Sequence, residues 1–209
     1  MQENRLTGII MATGMEAGPF IEAFNMREME DRPFQVYGQG DIKIAISGIG
    51  KANAAMATAY ICARHNPEWI MNLGAAGATR ESCDPGDIYH IEKVIEPDRP
   101  HLESNTPYVH IPALLSGFQK AVLATQDRPV VKIEEFRQIA TLADLVDMEG
   151  ASVVQAGRRF GKECLLFKFV SDTPVHAGQE ELIIEHIKHY SDPFCEFISN
   201  EVIPVLKAL

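Results

Sequence analysis

Apolar residues along the chain fall into short runs that end at small or turn-forming residues. Leu6 to Met11 is such a run, stopped by Thr13 and Gly14, and reads as a first strand entering a tight loop. A helix is expected to start near Met15 or Glu16, with Pro19 in its first turn and Phe20, Ile21, Phe24 and Met26 on its apolar face. Phe34 to Tyr37, a turn over Gly38 to Asp41, and Ile42 to Ile46 predict a hairpin. The SGIGK stretch at 47 to 51 leads into an alanine-rich segment without breakers, which predicts a helix from about Ala52 to His65. Trp69 to Leu73 reads as a strand, Gly74 to Gly77 as a second small-residue turn, and Ile88 to Val94 as a strand introduced by Asp84 to Asp87.

Residues 96 to 112 show little period and read as a long, mobile surface connection. Beyond it, Lys120 to Ala124 and Val130 to Ile133 bracket a TQDR turn, and a short helix over Glu135 to Leu142 precedes the apolar segment that contains Val146. The VVQAGRRF stretch is helical in pattern, Leu165 to Val170 is the strongest late strand, and Leu182 to Leu209 is mostly helical, with Pro193 and Pro204 marking breaks or starts. Recurrent strand, glycine turn and helix signals predict an α/β sheet with ligand loops at strand ends, ahead of an all-β barrel. No repeat or flexible linker divides residues 1–209, which are read as one domain.

Composition narrows the function classes. Of 209 residues, 46% are hydrophobic, enough to build a core without disulfides or a structural metal. With 19 Lys plus Arg against 29 Asp plus Glu, the charge of −10 and the lack of a dense basic block disfavour a nucleic-acid partner but leave room for a small nucleoside. The charged opening MQENRLTGII lacks a secretory pattern and no apolar run reaches membrane-spanning length, so cytoplasmic residence and no membrane partner are expected. Cys62, Cys83, Cys164 and Cys195 are far apart and form no CxxC pair, which suits buried or partly buried thiols. His101 with His110, and His186 with His189, lie in no ligand motif, so no metal and no cofactor is expected.

The residues best suited to chemistry are Glu16, Glu149 and Asp172, each beside an apolar strand signal. They either converge on one cleft or serve separately, Glu16 as a helix cap, Glu149 on a solvated helix start and Asp172 as a cap after a strand; spacing does not choose between these. The SGIG turn is neither a GxGxxG fingerprint nor a GxxxxGK loop, and suits close strand-to-helix packing as well as backbone approach to a ligand. Lys51 either helps that loop or is solvated. Tyr37, Tyr108 and Phe118 cover a ring-shaped substrate or simply pack.

Read in order, GMEAG at 14 to 18, SGIGK at 47 to 51, NLGAAG at 72 to 77, GDI at 86 to 88, VDMEGA at 146 to 151 and FVSDTP at 169 to 174 resemble the 5'-methylthioadenosine/S-adenosylhomocysteine nucleosidase branch of the purine nucleoside phosphorylase superfamily. The resemblance implies a three-layer α/β/α fold around a mixed, partly barrel-like sheet, assembled as a homodimer. It implies hydrolysis of the N-glycosidic bond of a purine nucleoside, with Glu16 activating water and Asp172 protonating or hydrogen-bonding the leaving base. Glu149 is implied to bind the ribose hydroxyls, Met148 to contact the ribose, Ser171 to orient Asp172, and Gly50 and Gly77 to bring backbone to the substrate. Methylthioadenosine and S-adenosylhomocysteine are candidate substrates, as are futalosine-like and other adenine nucleosides.

The chain departs from the family pattern in two places. Ala17 and Gly18 replace an acid-rich stretch after Glu16, and ATQDRPV at 124 to 130 lacks the usual stacking aromatic, leaving Gln126 and Arg128 as candidates to meet the base. A carboxylate at Glu16 repels phosphate unless Arg80 or Arg128 compensates it, which favours hydrolysis over phosphorolysis. A phosphate-dependent phosphorylase and a catalytically silent nucleoside binder are the alternatives.

Overall fold

A computed structural model describes residues 6–209; the first five residues of the charged opening lie outside the described residues. Among the described residues ten strands and the helices between them begin in the order β1 (Thr7–Met11), α1 (Gly14–Ala23), β2 (Arg27–Glu30), β3 (Gln35–Gln39), β4 (Ile42–Ile46), α2 (Lys51–His65), β5 (Trp69–Ala78) and β6 (Ile88–Pro100). There follow β7 (Pro107–His110), β8 (Lys120–Thr125), α3 (Ile133–Ile139), β9 (Leu145–Asp147), α4 (Gly150–Arg159), β10 (Glu163–Asp172), α5 (Glu180–Phe197) and α6 (Ile203–Lys207), with a π-helical turn at Ile198–Val202 joining the last two.

The strands make one mixed sheet that closes on itself through β5, β10, β6, β8 and β9, while β1, β4, β3 and β2 extend it outward from β5. One edge of β5 pairs with β10 over nearly its whole length. On the other edge, β1 pairs with residues 69–72 and β9 with residues 77–78. Between those partners, residues 73–76 carry no strand neighbour on that edge, and a crevice opens where the sheet divides.

Helices cover both faces. Ala54, Ala57 and Ile61 of α2 pack with Val153 and Val154 of α4 against Ile70 and Leu166. On the opposite face Phe20 of α1 and Phe194 of α5 enclose Leu165, Phe167 and Phe169. The alternation along β10 follows from the two-residue period of a strand. It places Leu166, Lys168 and Val170 on the α4 face and Leu165, Phe167 and Phe169 on the α5 face, all of them buried. The expected three-layer α/β/α arrangement with a partly barrel-like sheet is what is found.

Several local expectations differ. Gly74 to Gly77 form no turn: β5 runs through them, held by the β10 ladder. Residues 96–112 are no loose connection, since β6 continues to Pro100 and β7 returns against it. What stabilises that return is a buried pair of polar groups, His110 Nε2 lying 2.9 Å from Glu96 Oε2, which a hydrophobic pattern cannot reveal. Residues 130–132 form no strand, and the short α3 starts at Ile133. The exposed edge strand β2, with the sequence REME, carries a single apolar residue, the exposed Met29, and so shows no apolar pattern.

Prolines depart from expectation as well. Capping by Thr13 starts α1 at Gly14, so Pro19 falls beyond the first turn. Pro193 lies inside α5 without ending it, whereas Pro204 sits in the opening turn of α6, directly after the π-helical turn. Cys62, Cys164 and Cys195 are buried thiols and Cys83 is half-buried; burial raises Cys62 to about 11 and Cys164 to about 12.

Candidate active site

The crevice at the division of the sheet is a cleft of about 450 Å³ whose lining includes Glu16, Gly77, Arg128, Met148, Glu149, Ser171 and Asp172. The three acids that the sequence leaves open between one cleft and three separate roles thus meet in one cleft.

Glu16 is placed by the start of α1. Thr13, extended at φ −131° and ψ 156°, is the N-cap; its N–H and hydroxyl donate to Glu16 Oε2 at 3.0 and 2.7 Å, and its Oγ1 accepts from the Glu16 N–H. Oε1 accepts the Ala75 N–H at 2.9 Å, a donor left free by the gap between β1 and β9. Glu16 is therefore both a helix cap and a buried wall of the cleft, 6% exposed. The small residues of β5 make this possible, because a Cβ at Gly74 would stand 2.5 Å from Oε1. A Cβ at Gly77 would likewise meet Asp172 Oδ2 at 3.0 Å.

Glu149 is the N-cap residue of α4 but does not cap that helix with its side chain. Asp147 does so instead, Oδ2 accepting from the Gly150 N–H at 2.8 Å. Glu149 is thereby released to reach the start of α2, where Oε1 accepts the Gly50 N–H at 2.7 Å. The reading of Glu149 as a solvated helix start is corrected: it is buried, and burial, followed by the charge of Asp147, pushes its pKa up to about 7 against the opposing pull of Lys168 and the Gly50 bond.

Behind Glu149 stands an ion pair absent from the sequence reading. Lys168 Nζ lies 2.9 Å from Asp147 Oδ2, both side chains almost fully buried. Burial opposes the lysine's charge, but Asp147 and Glu149 outweigh it and hold its pKa above the ordinary lysine value. Asp147 Oδ1 also accepts the Thr125 hydroxyl at 2.6 Å.

Asp172 ends β10 on the far side of the cleft. Its Oδ1 accepts the Ser171 hydroxyl at 2.6 Å, and burial raises its pKa although Ser171, His176 and His186 pull the other way. His186 of α5 anchors the same corner, with Nδ1 2.8 Å from the Ser171 carbonyl oxygen.

The remaining predicted residues divide. Met148 and Arg128 line the cleft, but Arg128 Nη1 is held 2.7 Å from Glu135 Oε1. Gly50 and Gln126 are not part of the lining: Gly50 stands behind Glu149, and Gln126 donates its side-chain amide to the Arg128 carbonyl at 2.9 Å. Arg80 pairs with Asp144 away from the cleft. Tyr37, Tyr108 and Phe118 are absent from the lining, which draws its aromatic ring from Phe136 of α3 and its apolar wall from Ile183, Ile184 and Ile187 of α5. These isoleucines lie on one helical face, a signal present in the sequence but equally typical of core packing. Among the described residues no group of three or more His, Cys, Asp or Glu side chains is arranged to hold a metal ion.

Comparison with known proteins gives a consistent result. A model of the phosphorylase superfamily matches residues 7–199. A 5'-methylthioadenosine/S-adenosylhomocysteine nucleosidase of Bacillus thuringiensis (strain Al Hakam) is 27% identical, the match covering 78% of this chain and 79% of that relative. Among solved structures, the nucleosidase of the same description from Helicobacter pylori, crystallised with butyl-thio-DADMe-Immucillin-A, superposes with a TM-score of 0.84 at 18% identity over 98% of this chain and 99% of that one. The native futalosine hydrolase of Helicobacter pylori gives 0.83 at 18% identity over 98% of each chain. The resemblance noted from the motifs is borne out by these matches, and the solved structures share the fold.

Proposed function

We propose that this chain, which belongs to the phosphorylase superfamily, hydrolyses the N-glycosidic bond of an adenine nucleoside to free base and ribose product. The observation that carries the reading is the convergence of Glu16, Glu149 and Asp172 on one cleft, each held by a different element. The relatives bearing nucleosidase names support the same reaction, and make methylthioadenosine and S-adenosylhomocysteine the first substrates to try.

Cleavage builds positive charge on the ribose and negative charge on the departing base. Asp172, whose burial favours the protonated acid, suits donation to the base, and Ser171 orients it. Glu16, its two oxygens fixed by Thr13 and Ala75, suits holding a water against the anomeric carbon and taking its proton. Glu149 accepts the ribose hydroxyls beside Met148, and Gly77 lets the base approach the β5 backbone. The apolar wall of α5 isoleucines suits an uncharged 5' substituent.

Water is preferred to phosphate as the attacking group on electrostatic grounds. Glu16, Glu149 and Asp147 face the cleft, while Arg128 is tied to Glu135 and Lys168 to Asp147. An incoming phosphate meets carboxylates without a free cation on the described lining. The family resemblance further supports a cytoplasmic homodimer, and the exposed side chains of Ile49 and Met56 offer an apolar edge for it; a monomer in sedimentation velocity removes that part of the reading.

The test is incubation of the purified protein with adenosine, methylthioadenosine, S-adenosylhomocysteine and aminodeoxyfutalosine, with and without phosphate. Free base and reducing sugar formed without phosphate are expected. A ribose 1-phosphate product, or binding without turnover of any of the four, overturns it.

A further inference from the structure

Lysine is an unfavourable residue at the start of a helix, where the macrodipole already places partial positive charge. Lys51 nevertheless opens α2, whose first turn contains no acidic residue and whose N-cap, Gly50, has no side chain to offer. Carboxylates from elsewhere satisfy the helix start: the Gly50 N–H donates to Glu149 Oε1 at 2.7 Å and the Lys51 N–H to Asp127 Oδ1 at 3.2 Å. The Lys51 side chain, 12% exposed, turns back from the helix to meet Glu96 Oε1 at 3.3 Å and Asp98 Oδ1 at 2.5 Å. Asp98 Oδ2 in turn accepts the Asp127 N–H at 2.9 Å.

These contacts close a ring. Lys51 binds Asp127 through its backbone, Asp127 binds Asp98, and Asp98 returns to the Lys51 ammonium. The far end is anchored by Glu96, which is 2% exposed and also held by His110 at 2.9 Å and Arg99 at 3.1 Å. The ring thus joins the turn before α2, the end of β6 and the loop after β8; of these, the first contributes Ile49 and the last Arg128 to the cleft lining. One peptide away from it, Gly50 holds the Glu149 carboxylate.

We propose that Lys51 is a positioning residue of the site: by bridging Glu96 and Asp98 it fixes the Gly50–Lys51 backbone, and through the Gly50 N–H it sets the orientation in which Glu149 meets the sugar hydroxyls. The proposal rests on the reading of Glu149 as the ribose-binding carboxylate. It gives Lys51 a role in specificity for the sugar rather than in bond cleavage itself. The ammonium also offsets Glu96 and Asp98, the two acids at the end of β6.

The test compares wild type, Lys51→Met and Lys51→Arg on an adenine riboside and on its analogue lacking both ribose hydroxyls, with the Gly50 amide followed by NMR. Wild-type turnover of the riboside checks the proposed reaction separately. For Lys51→Met, kcat/KM is expected to fall about tenfold on the riboside and less than twofold on the analogue, with Lys51→Arg within threefold of wild type. In a Glu149→Ala background Lys51→Met should add no further loss. The Gly50 amide proton should move upfield and lose exchange protection in Lys51→Met, a result readable even if no nucleoside is cleaved. Equal losses on both substrates, a full additional loss in the Glu149→Ala background, or an unchanged Gly50 amide overturns the proposal. Should Lys51→Met fail to fold, Asp98→Asn breaks the ring at a side chain that is 34% exposed and is held to the same criteria.

Discussion

Glu16 Oε1 and the Ala75 N–H are joined by a 2.9 Å hydrogen bond across the gap where β1 and β9 part along β5. The bond couples a topological feature to chemistry. Only because no strand occupies that stretch of edge is a backbone donor free to hold a side chain from α1, and only because residues 74 to 77 are small can the carboxylate lie against the strand.

Gly74→Ala tests that coupling. The new methyl group would lie 2.5 Å from Glu16 Oε1, too close for both to stay, and the positive φ of 150° adds strain. A displacement near 1 Å of a catalytic group costs on the order of 100-fold in rate. The variant is expected to fold, with kcat/KM on the preferred nucleoside down by about that factor. Wild-type turnover, with circular dichroism confirming a folded chain, contradicts the placement of Glu16.

Asp172→Asn separates binding from chemistry. Asparagine keeps the shape and a hydrogen-bond donor but has no carboxylic proton to give, so KM should change little while kcat falls by about 10²- to 10⁴-fold. Single-turnover measurement isolates the step, and cleavage at a near-normal rate removes Asp172 from the role of acid. Glu16→Gln is expected to show a comparable loss in steady state, through failure to take the proton of the attacking water.

Much of this arrangement is legible in the sequence, and the illegible parts share a cause. Strands with apolar centres and helices rich in alanine without breakers show themselves locally: β1, α2 and β10 are where pattern and punctuation put them. The three acids stand out because each lies beside an apolar strand signal. Illegible features depend on partners distant in the chain. Gly74 to Gly77 look like a turn until β10 pairs with them, and residues 96–112 look unstructured because Glu96 and His110 satisfy each other rather than adding apolar signal. Asp147 lies inside the motif that supplies Glu149, yet nothing local announces that its partner is Lys168, 21 positions onward.

That partnership makes Lys168→Met informative. Removing the ammonium leaves Asp147 buried without its counter-ion, and breaking one side of a buried pair costs about 3–5 kcal/mol. Urea unfolding should show a loss of that size, and Lys168→Met combined with Asp147→Asn should regain part of it by removing the orphaned charge. A loss below about 1 kcal/mol, the range of an exposed pair, shows that the pair carries little of the stability assigned to it.

Glu149 supplies a pH dependence with a definite sign. Burial first, and Asp147 second, raise its pKa from 4.5 to about 7. Between those values the folded chain keeps a proton that the unfolded chain has lost, so the contribution of Glu149 to stability is fully present below pH 4.5 and declines as pH rises through about 7. In the proposed ribose-binding role of Glu149, activity is expected to run in the opposite sense, because a charged carboxylate is the better acceptor for hydroxyls: kcat/KM should climb as Glu149 loses its proton. In Glu149→Gln both limbs should flatten, with unfolding free energy and kcat/KM measured over the same buffers. Removing Lys168 takes away a charge that lowers the Glu149 pKa, so in Lys168→Met the activity limb should move to higher pH. An unmoved limb there, or an activity limb that persists in Glu149→Gln, assigns the titration to another group.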